Sequence, residues 1–391
     1  MSLRNLLILT NNFPNFSDTY VVEIFVKEQL KYIRRHFENV YVISPVAYGM
    51  EYIRKTHFED YSYDNVHVFF PKYFNLPFFY KYQKEFWVKL ESHAVLKFLE
   101  KKGIEFDIIH AHFTWPSGAV AVEVKKKFGV PVVITEHTSG TFQKAIDEKD
   151  PIFIHSWQMS DAIIRVRKGD IFLMGDVGID LEKVYHIPNG YDQKKFYPLD
   201  KQECRDKLGL SKDKKIILNV GNPYGEVKGH SYLIEAMEKV VSKRDDVLCY
   251  IVGDGVLREK LEKQILSSNL QDHVKIVGLK PHHEVPLWMN ACDIFVLPSL
   301  NEGNPTVLVE SLACGKPFVG TSVGGVPEII TSDDLGFLVK PGDSLDLAEK
   351  ISHSLDVNWD ENKILDHAQR YSWENIAEQI SDIYVNLNCN I

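Results

Sequence analysis

The feature that most constrains the fold is an alternation of short apolar runs with longer amphipathic runs, which occurs twice along the 391 residues. This alternation is typical of parallel sheets covered by helices, so each half is predicted to form a doubly wound α/β domain. The predicted strands of the first half span residues 5–10, 40–44, 66–70, 107–111, 130–135, 161–166 and 184–187. Those of the second half span residues 215–220, 248–252, 274–277, 294–297 and 317–320.

A join between the two halves is predicted near Phe196-Tyr-Pro-Leu-Asp200, where the hydrophobic periodicity lapses. A chain of this length exceeds one usual hydrophobic core, which also favours two domains. The first domain would span residues 1–197, the second residues 198–370, and a last helical segment residues 371–391. Loops at the carboxyl ends of the strands are predicted to line a cleft between the two domains.

Two glutamates, Glu302 and Glu310, lie eight residues apart on either side of a predicted turn. The apolar run over residues 294–297 predicts a buried strand, and residues 298–303 predict the loop that leaves its carboxyl end. A helix is predicted to follow, with Glu310 on the same face as Thr306. Carboxylates in this arrangement could hold different parts of one ligand, with a diphosphate between them.

The start of this helix predicts an anion site. Asn304 is predicted to be the N-cap and Pro305 the first helical residue. The free backbone N–H groups around Thr306 and Val307 would then lie at the positive end of the helix dipole. Such groups bind phosphate and other anions.

This motif resembles the E-x7-E element of the retaining GT-B glycosyltransferases, also called group 1 or glycosyltransferase family 4. The flanking segments resemble the family in order and spacing: Asp293-Ile-Phe-Val-Leu-Pro-Ser299, Glu310-Ser-Leu-Ala-Cys-Gly-Lys-Pro317 and Gly324-Gly-Val-Pro-Glu-Ile-Ile330. The alternative is a solvated helix face that carries two acids by chance. The resemblance implies a GT-B fold, in which two doubly wound Rossmann-like domains face each other across a cleft. It also implies that the helix over residues 371–391 crosses back to pack on the first domain.

The resemblance also implies a reaction and a role for each part of the motif. The chain would transfer a hexose-type sugar from a nucleoside diphosphate to a hydroxyl acceptor, with retention at the anomeric carbon. Glu310 would accept hydrogen bonds from the ribose hydroxyls, and Glu302 would contact the transferred sugar. The backbone N–H groups of residues 304–307 would hold sugar and phosphate oxygens.

The loop over residues 221–229 resembles the family loop that places a basic pair on the diphosphate. Lys228 is the cation predicted to stabilise the leaving phosphate, although a solvated lysine at a helix start is the alternative. Asn222 stands where the family more often has arginine, so it would donate a neutral hydrogen bond or leave the second cation to another residue. Gly253 and Gly255 mark a strand-to-helix turn that approaches the donor in relatives.

Three histidines lie at or just after the carboxyl ends of predicted strands of the first half. His137 resembles the family histidine that meets the reacting sugar and phosphate, and the alternative is a histidine that only holds its loop. For His110 and His112 a structural role and a role in the site are both open, since either residue could simply orient the neighbouring turn. The spacing of His, Cys and Asp residues indicates no metal site, so the reaction is predicted to be metal-independent and to need no cofactor beyond its sugar-nucleotide donor.

Composition restricts the partners of the chain. The formal net charge of -9 argues against a general nucleic-acid binder. Five widely spaced cysteines without a C-x-x-C pair favour reduced thiols, and the apolar run over residues 6–9 is too short for a signal peptide or a membrane span. A cytoplasmic location is therefore predicted.

The segment over residues 69–90 combines many aromatics with lysines, which suits a peripheral contact with the inner face of a membrane and a lipid-linked acceptor. The alternative is an ordinary helix whose aromatics pack on the sheet while its lysines face water. Synthesis of glycoconjugates or cell-surface polysaccharide would suit an acceptor that is a glycan, a lipid-linked sugar or a small molecule. Two other functions stay open: a non-catalytic subunit that binds a sugar nucleotide in a glycosylation complex, and a GT-B-fold nucleotide-sugar epimerase.

Overall fold

The structure is a computed structural model, and it describes residues 3–17, 20, 22, 24–75, 79, 83–137 and 140–389. The chain forms two compact units. The first comprises Met1–Pro188 and Ile376–Ile391, and the second comprises Asn189–Asn375.

The chain passes into the second unit between Pro188 and Asn189, earlier than the predicted boundary at residue 197. The reason is that Tyr191 and Phe196 are buried in the hydrophobic core of the second unit. Residues up to Asn375 also stay with the second unit, because Tyr191 N donates to Tyr371 O and Trp373 N donates to Tyr191 O, each at 2.9 Å. The return to the first unit therefore comes later than the predicted residue 371.

The described part of the first unit contains an eight-stranded sheet and a separate pair of short strands. Its strands are β1 (Asn5–Leu9), β2 (Asn39–Ile43), β3 (Val46–Ala47), β4 (Tyr61–Tyr63), β5 (Val66–Phe69), β6 (Lys72–Tyr73), β7 (Ile108–His112), β8 (Val132–Glu136), β9 (Ala162–Arg165) and β10 (Val184–His186). The main sheet has the order β10-β9-β8-β7-β1-β2-β5-β4, and β3 pairs with β6. Strand β4 is antiparallel to β5, whereas the other pairs of the main sheet are parallel.

The second unit has one sheet of six parallel strands. They are β11 (Lys215–Val220), β12 (Val247–Val252), β13 (Val274–Gly278), β14 (Ile294–Leu297), β15 (Phe318–Thr321) and β16 (Gly336–Val339). Their order is β13-β12-β11-β14-β15-β16, so the chain moves outward in one direction and then returns to the centre to move outward in the other. This is the doubly wound order, and it places a topological switch point between β11 and β14.

Helices connect the strands in both units. In the first unit they are α1 (Ile24–Ile33), α2 (Met50–Arg54), α3 (Lys84–Lys102), α4 (Ala119–Phe128), α5 (Gly140–Asp147), α6 (Pro151–Met159) and α7 (Ile171–Asp176). In the second they are α8 (Lys201–Leu208), α9 (His230–Val241), α10 (Arg258–Ser267), α11 (Val285–Ala291), α12 (Thr306–Ala313), α13 (Val326–Ile329), α14 (Ser344–Asp356) and α15 (Glu361–Gln369). The last helix, α16 (Trp373–Cys389), starts in the second unit and continues in the first.

Successive strand residues of the second unit pack on opposite faces of its sheet, as the side-chain period of two requires. Ile216 and Leu218 belong to a core that includes Leu308 of α12. Ile217, between them, belongs to a separate core that includes Leu233 of α9. Helices therefore cover both faces, and the predicted doubly wound α/β architecture is confirmed.

The predicted strands are found at or within two residues of their expected bounds, but four others were missed. Gly336–Val339 starts with glycine and contains only three apolar residues, too few for a periodic signal. Tyr61–Tyr63 is a short strand at the sheet edge, and its side chains are partly or fully exposed. Val46–Ala47 and Lys72–Tyr73 contain two residues each and form only through their mutual pairing.

Candidate functional site

The loops that follow β11 and β14 diverge at the switch point of the second unit, and they carry most of the predicted site residues. The first loop contains Asn222 and Lys228, and the second contains Glu302. Leu300 N donates to Val227 O at 2.7 Å, which joins the two loops. Switch points are where doubly wound sheets bind their ligands, because the diverging loops leave a crevice at the carboxyl ends of the strands.

Lys228 and Glu302 form an ion pair in this crevice. Lys228 Nζ lies 2.8 Å from Glu302 Oε1, and the two side chains are 21% and 9% exposed. Ser299 Oγ, fully buried, donates to the same oxygen at 2.6 Å. Glu302 Oε2 has no hydrogen-bond partner within the described part of the chain. One carboxylate oxygen is thus fixed by the protein, and the other is free to accept a hydroxyl.

The start of α12 differs from the prediction. Pro305, with φ −73° and ψ 112°, is the N-cap and Thr306 is the first helical residue, so the assignments of Asn304 as N-cap and Pro305 as first helical residue were wrong. The physical reason is that the Asn304 side chain has another partner: its Oδ1 accepts from Asn189 N at 2.9 Å. Thr306 and Val307 nevertheless occupy the first turn, where backbone N–H groups have no helical acceptor.

Glu310 lies one turn into α12 and is buried, with 8% of its surface exposed. Its Oε1 is 4.0 Å from Nε2 of His282, a half-exposed residue of the loop after β13. His282 was missed by the sequence analysis. The only signal for it is the turn-forming run Lys280-Pro-His-His283, which follows a predicted strand. The arrangement gives Glu310 a neighbour that is able to donate a hydrogen bond.

Gly324 and Gly325, in one of the segments that resemble the family, hold the Glu302 loop in place. Gly325 N donates to Gly303 O at 2.7 Å. A Cβ on Gly325 would lie 2.6 Å from the same oxygen, and one on Gly324 would overlap the carbonyl oxygen of Glu302. Gly324 also has φ +56°, which L side chains adopt at a cost. Glycine is required here because two loops pack backbone to backbone.

Gly253 and Gly255 have a similar role on the other side of the crevice. A Cβ on Gly253 would overlap Gly221 O, and one on Gly255 would lie 2.7 Å from Pro223 O. Asn222 Oδ1 accepts from Asp254 N at 3.3 Å. The two glycines therefore let the loops after β11 and β12 touch, and the Asn222 carbonyl joins them.

His230, at the start of α9, is a site residue that the sequence analysis missed. Its side chain is buried, and Nε2 lies 3.1 Å from Gly221 O, to which it donates. Burial lowers the pKa of His230 to about 4, so the ring is neutral near pH 7. It fixes the position at which the Asn222 and Lys228 loop leaves the sheet. A single histidine after a glycine gave no signal for this role.

The first unit brings His112 and His137 together at the ends of β7 and β8. His112 Nδ1 is 3.2 Å from His137 Nε2, the rings stack with centroids 5.5 Å apart, and both side chains are buried. Burial lowers the pKa of His112 to about 3 and that of His137 well below its usual value. Both rings are thus neutral. The outer nitrogens, His112 Nε2 and His137 Nδ1, are buried and have no hydrogen-bond partner among the described residues, which exclude residues 138 and 139.

His110 has a different environment from the other two histidines. Its Nδ1 is 2.5 Å from the hydroxyl of Tyr384, on α16, and its Nε2 is 2.7 Å from Thr135 Oγ1. Both ring nitrogens therefore bind protein groups. This arrangement favours the structural alternative for His110, because no polar atom of its ring is left for a ligand.

In the described ranges no three His, Cys, Asp or Glu side chains are grouped so that they could hold a metal ion. No helix among these residues is both long and apolar enough to cross a membrane.

Comparison with known proteins identifies the class to which this fold and these loops belong. Residues 200–381 match the family described as Glycosyl transferases group 1, and residues 22–195 match Glycosyltransferase Family 4. The uncharacterized glycosyltransferase MJ1178 of Methanocaldococcus jannaschii is 30% identical over 297 residues, which cover 74% of this chain and 78% of the relative. D-inositol 3-phosphate glycosyltransferase 2 of Catenulispora acidiphila is 30% identical over 303 residues, 71% of this chain and 70% of that protein.

The chain therefore belongs to the group 1 glycosyltransferases of the family 4 type, and it is a glycosyltransferase. Among solved structures, HepE of Anabaena in complex with UDP matches with a TM-score of 0.75 at 20% identity, over 98% of this chain and 100% of HepE. HepE has also been solved with UDP-glucose. The match confirms the GT-B fold predicted from the sequence.

Proposed function

We propose that this glycosyltransferase moves a sugar from a nucleoside diphosphate to a hydroxyl acceptor with retention at the anomeric carbon. The observation that carries the proposal is the ion pair of Lys228 and Glu302 at the switch point of the second unit, next to the first turn of α12. A cation and backbone N–H groups suit a diphosphate, while a carboxylate suits sugar hydroxyls. The expected products belong to glycoconjugate or cell-surface polysaccharide synthesis.

Each residue that is proposed to bind the donor has its own role. Lys228 stabilises negative charge on the leaving diphosphate, and Glu302 accepts a hydroxyl of the transferred sugar through the oxygen that the protein leaves unbound. Glu310 accepts the ribose hydroxyls, and its burial makes those bonds stronger than they would be in water. The free N–H groups of Thr306 and Val307 bind oxygens of the sugar and phosphate.

The geometry restricts the roles proposed for Asn222, Gly253, Gly255, Asn304 and Pro305. The Asn222 carbonyl is bound to Asp254 N, so only the Asn222 amide nitrogen could donate to phosphate. Gly253 and Gly255 are proposed to act through loop position, because a Cβ at either residue would clash with a carbonyl oxygen of the neighbouring loop. Pro305 and Asn304 shape the start of α12, and Asn304 offers its backbone N–H.

His137 is proposed to contact the reacting sugar. Its Nδ1 is the atom available for that contact, because Nε2 is already paired with His112. A buried polar atom without a partner is uncommon in a native protein, and a ligand is one of its ordinary explanations. The neutral state of the ring suits a hydrogen bond rather than an ion pair.

Retention is proposed to follow from attack of the acceptor on the same face from which the diphosphate leaves. The acceptor hydroxyl forms a bond to the anomeric carbon as the sugar–phosphate bond breaks, and its proton passes to an oxygen of the leaving phosphate. Protein side chains then position the reactants and stabilise the developing charge. This step needs no carboxylate nucleophile, so Glu302 is free to bind the sugar.

A thermal-shift assay over nucleoside diphosphates and their sugars tests the donor site. We expect UDP and one UDP-sugar to raise the melting temperature, because HepE, which shares the fold, binds UDP. Ligand at 100 times its Kd stabilises a protein by about 2.7 kcal/mol. Glu310→Ala and Lys228→Ala should abolish the shift.

The matched control for this assay is Lys201→Ala. Lys201 forms an ion pair with Asp293 at 2.9 Å in the same unit, but it is not a predicted donor contact, so the variant should keep the native shift. If no nucleotide produces a shift, the non-catalytic alternative gains support, since Asn222 replaces a family cation. A shift with sugar nucleotide but no turnover with any acceptor would support that alternative directly.

Metal independence stays a prediction for this protein. Lys228 and the first turn of α12 provide the positive charge that a divalent ion supplies in other transferases. We therefore expect EDTA to leave turnover unchanged once the donor is known. A loss of activity with EDTA that Mg²⁺ or Mn²⁺ restores would contradict this prediction.

A cytoplasmic location with a peripheral membrane contact through residues 69–90 is also proposed, with helix α2 as a neighbouring part of the same surface. Residues 76–78 and 80–82 of the predicted segment lie outside the described residues, and Phe70 and Tyr73 within it are buried. Phe74 and Phe86 of the segment are exposed at 59% and 43%, and α2, which an ion pair joins to Lys72, adds Tyr52 at 90% and Ile53 at 67%. Exposed aromatic and aliphatic side chains are suited to the lipid interface.

Liposome flotation tests this contact. The native chain should float with vesicles that contain anionic lipid, and Tyr52→Ser/Ile53→Ser should stay in the soluble fraction. The control is Leu266→Ser, which alters an apolar side chain of the second unit with a similar exposure of 66%. Absence of flotation by the native chain would exclude a stable membrane contact.

A further inference from the structure

A cavity of about 240 Å³ lies in the first unit, beyond the carboxyl ends of β1 and β2. It is separate from the residues proposed above for the donor and for His137. Asn11 lies two residues after the end of β1, and Arg54 is the last residue of α2. The remaining polar and aromatic lining comes chiefly from Tyr73, Trp87 and Trp115. We call this the Arg54 cavity.

A buried carboxylate fixes the wall of the Arg54 cavity. Glu91 on α3 has no exposed surface, and burial raises its pKa. Its Oε1 accepts from Asn11 Nδ2 and its Oε2 from Trp87 Nε1, each at 2.9 Å. Tyr73 also hydrogen bonds to it, and Asn11 Oδ1 accepts from Ser117 Oγ at 2.6 Å. Three lining side chains are therefore held in fixed positions before any ligand enters.

The aromatic part of the lining suits the apolar face of a ring. The ring centroids of Trp87 and Trp115 are 6.2 Å apart with planes inclined at 56°. Small-molecule sites usually combine such aromatic surface with a few fixed polar groups. The Asn11 amide and the Tyr73 hydroxyl supply polar groups of the kind that orient a hydroxylated ring.

Arg54 gives the cavity its charge. Its Nη2 donates to Asn12 Oδ1 at 3.1 Å, and its guanidinium lies 4.8 Å from the ring centroid of Tyr20. Among the described residues Arg54 has no carboxylate partner. Glu51, one turn earlier, is engaged by Lys72 at 2.9 Å and by Phe58 N at 2.8 Å. A guanidinium held by a neutral amide and a ring, without a carboxylate partner in the described part of the chain, favours an anionic ligand.

We propose that the Arg54 cavity is an acceptor subsite for a sugar or other polyhydroxylated ring that carries a carboxylate or a phosphate. The ring lies against Trp87 and Trp115, its hydroxyls bind Asn11 and Tyr73, and its anionic group binds Arg54. This inference rests on the proposed function, because it assigns the substrate class that receives the sugar. It concerns only residues of the first unit, so it can be tested apart from the donor site.

The test measures binding of three probes by isothermal titration calorimetry: glucose, glucuronate and glucose 6-phosphate, each with saturating UDP. We expect at least one anionic probe to bind about tenfold more tightly than glucose, as a charge-assisted bond to arginine requires. Preference for glucose 6-phosphate indicates a phosphorylated acceptor, and preference for glucuronate indicates an acidic sugar. Arg54→Gln should remove the preference for an anionic probe over glucose. Its melting temperature, and the rise in that temperature on adding UDP, should be unchanged.

The matched control is Arg35→Gln. Arg35 also lies over a tyrosine, with 4.8 Å to the ring centroid of Tyr32, but it does not line the cavity, so its variant should keep the preference. Equal affinity for the three probes, no binding at millimolar concentration, or an unchanged preference in Arg54→Gln would overturn the proposal. If UDP still raises the melting temperature in any of these cases, the proposed donor site is not contradicted. If an anionic probe binds more tightly than glucose but UDP does not raise the melting temperature, the proposed donor site is contradicted instead.

Discussion

Replacement of Lys228 by methionine is expected to lower kcat by about 100- to 1,000-fold, the usual effect of removing one preorganised charge stabiliser. Its ammonium lies at the switch point of the second unit, where the leaving diphosphate is proposed to bind. Methionine keeps the length of the side chain and much of its apolar volume, so the loop should retain its packing. The measurement is kcat at saturating donor, with the nucleotide sugar that the thermal-shift assay identifies.

The same substitution leaves the Glu302 carboxylate without its cation, which is costly for a largely buried charge. The double variant Lys228→Met/Glu302→Gln separates this effect from catalysis: it should recover stability lost by the single variant and remain inactive. Lys201→Met is the control, because the Lys201 and Asp293 pair lies in the same unit without a proposed role in the reaction. A near-native kcat for Lys228→Met would show that the lysine only pairs with Glu302.

Substitution of Gly324 by alanine is expected to lower the free energy of unfolding of the second unit by at least about 3 kcal/mol. Two causes add: a positive φ of +56°, and a Cβ that would overlap the carbonyl oxygen of Glu302. The Glu302 loop must move for the methyl group to fit, so donor binding should be lost in the fraction that stays folded. Urea unfolding followed by circular dichroism, together with the UDP thermal shift, measures both effects.

Gly209→Ala provides the matched control for the second prediction. Gly209 is in the same unit and has φ +66°, but no atom lies within 4 Å of the position of its Cβ. Only the cost of the left-handed backbone applies, about 1–2 kcal/mol, and donor binding should be retained. Equal effects of the two substitutions would mean that the contact with the Glu302 loop is not what requires glycine at residue 324.

Sequence patterns predicted those parts of the fold in which a local signal and the tertiary structure agree. Ile294–Leu297 is a continuous apolar run and Lys215–Val220 is a largely apolar one. Both lie in the centre of a parallel sheet and have the predicted bounds. The start of α12 was predicted less well, because cap preferences describe an isolated helix. Asn304 instead binds Asn189, which is distant in sequence, and a local pattern contains no information about such a partner.

In the candidate site, too, residues with a local sequence signal were predicted and residues whose role depends on distant partners were missed. Glu302, Glu310 and Lys228 carry charge at positions that a motif can specify, and the structure brings Lys228 to Glu302 directly. The supporting residues gave weaker signals, since Ser299 and His230 act through single hydrogen bonds to buried atoms. Their roles depend on which loops meet at the switch point. The roles themselves stay predictions until the variants are measured.

The connection of the two units has a consequence for the order in which they form during synthesis. The second unit is one uninterrupted stretch, and its ends are tied to each other by the hydrogen bonds between Tyr191 and residues 371 and 373. The first unit is assembled from two stretches, and Tyr384 fills its core beside Phe37 and His110 only after α16 has left the ribosome. Although its strands are translated first, the first unit is therefore the later of the two to complete its native packing.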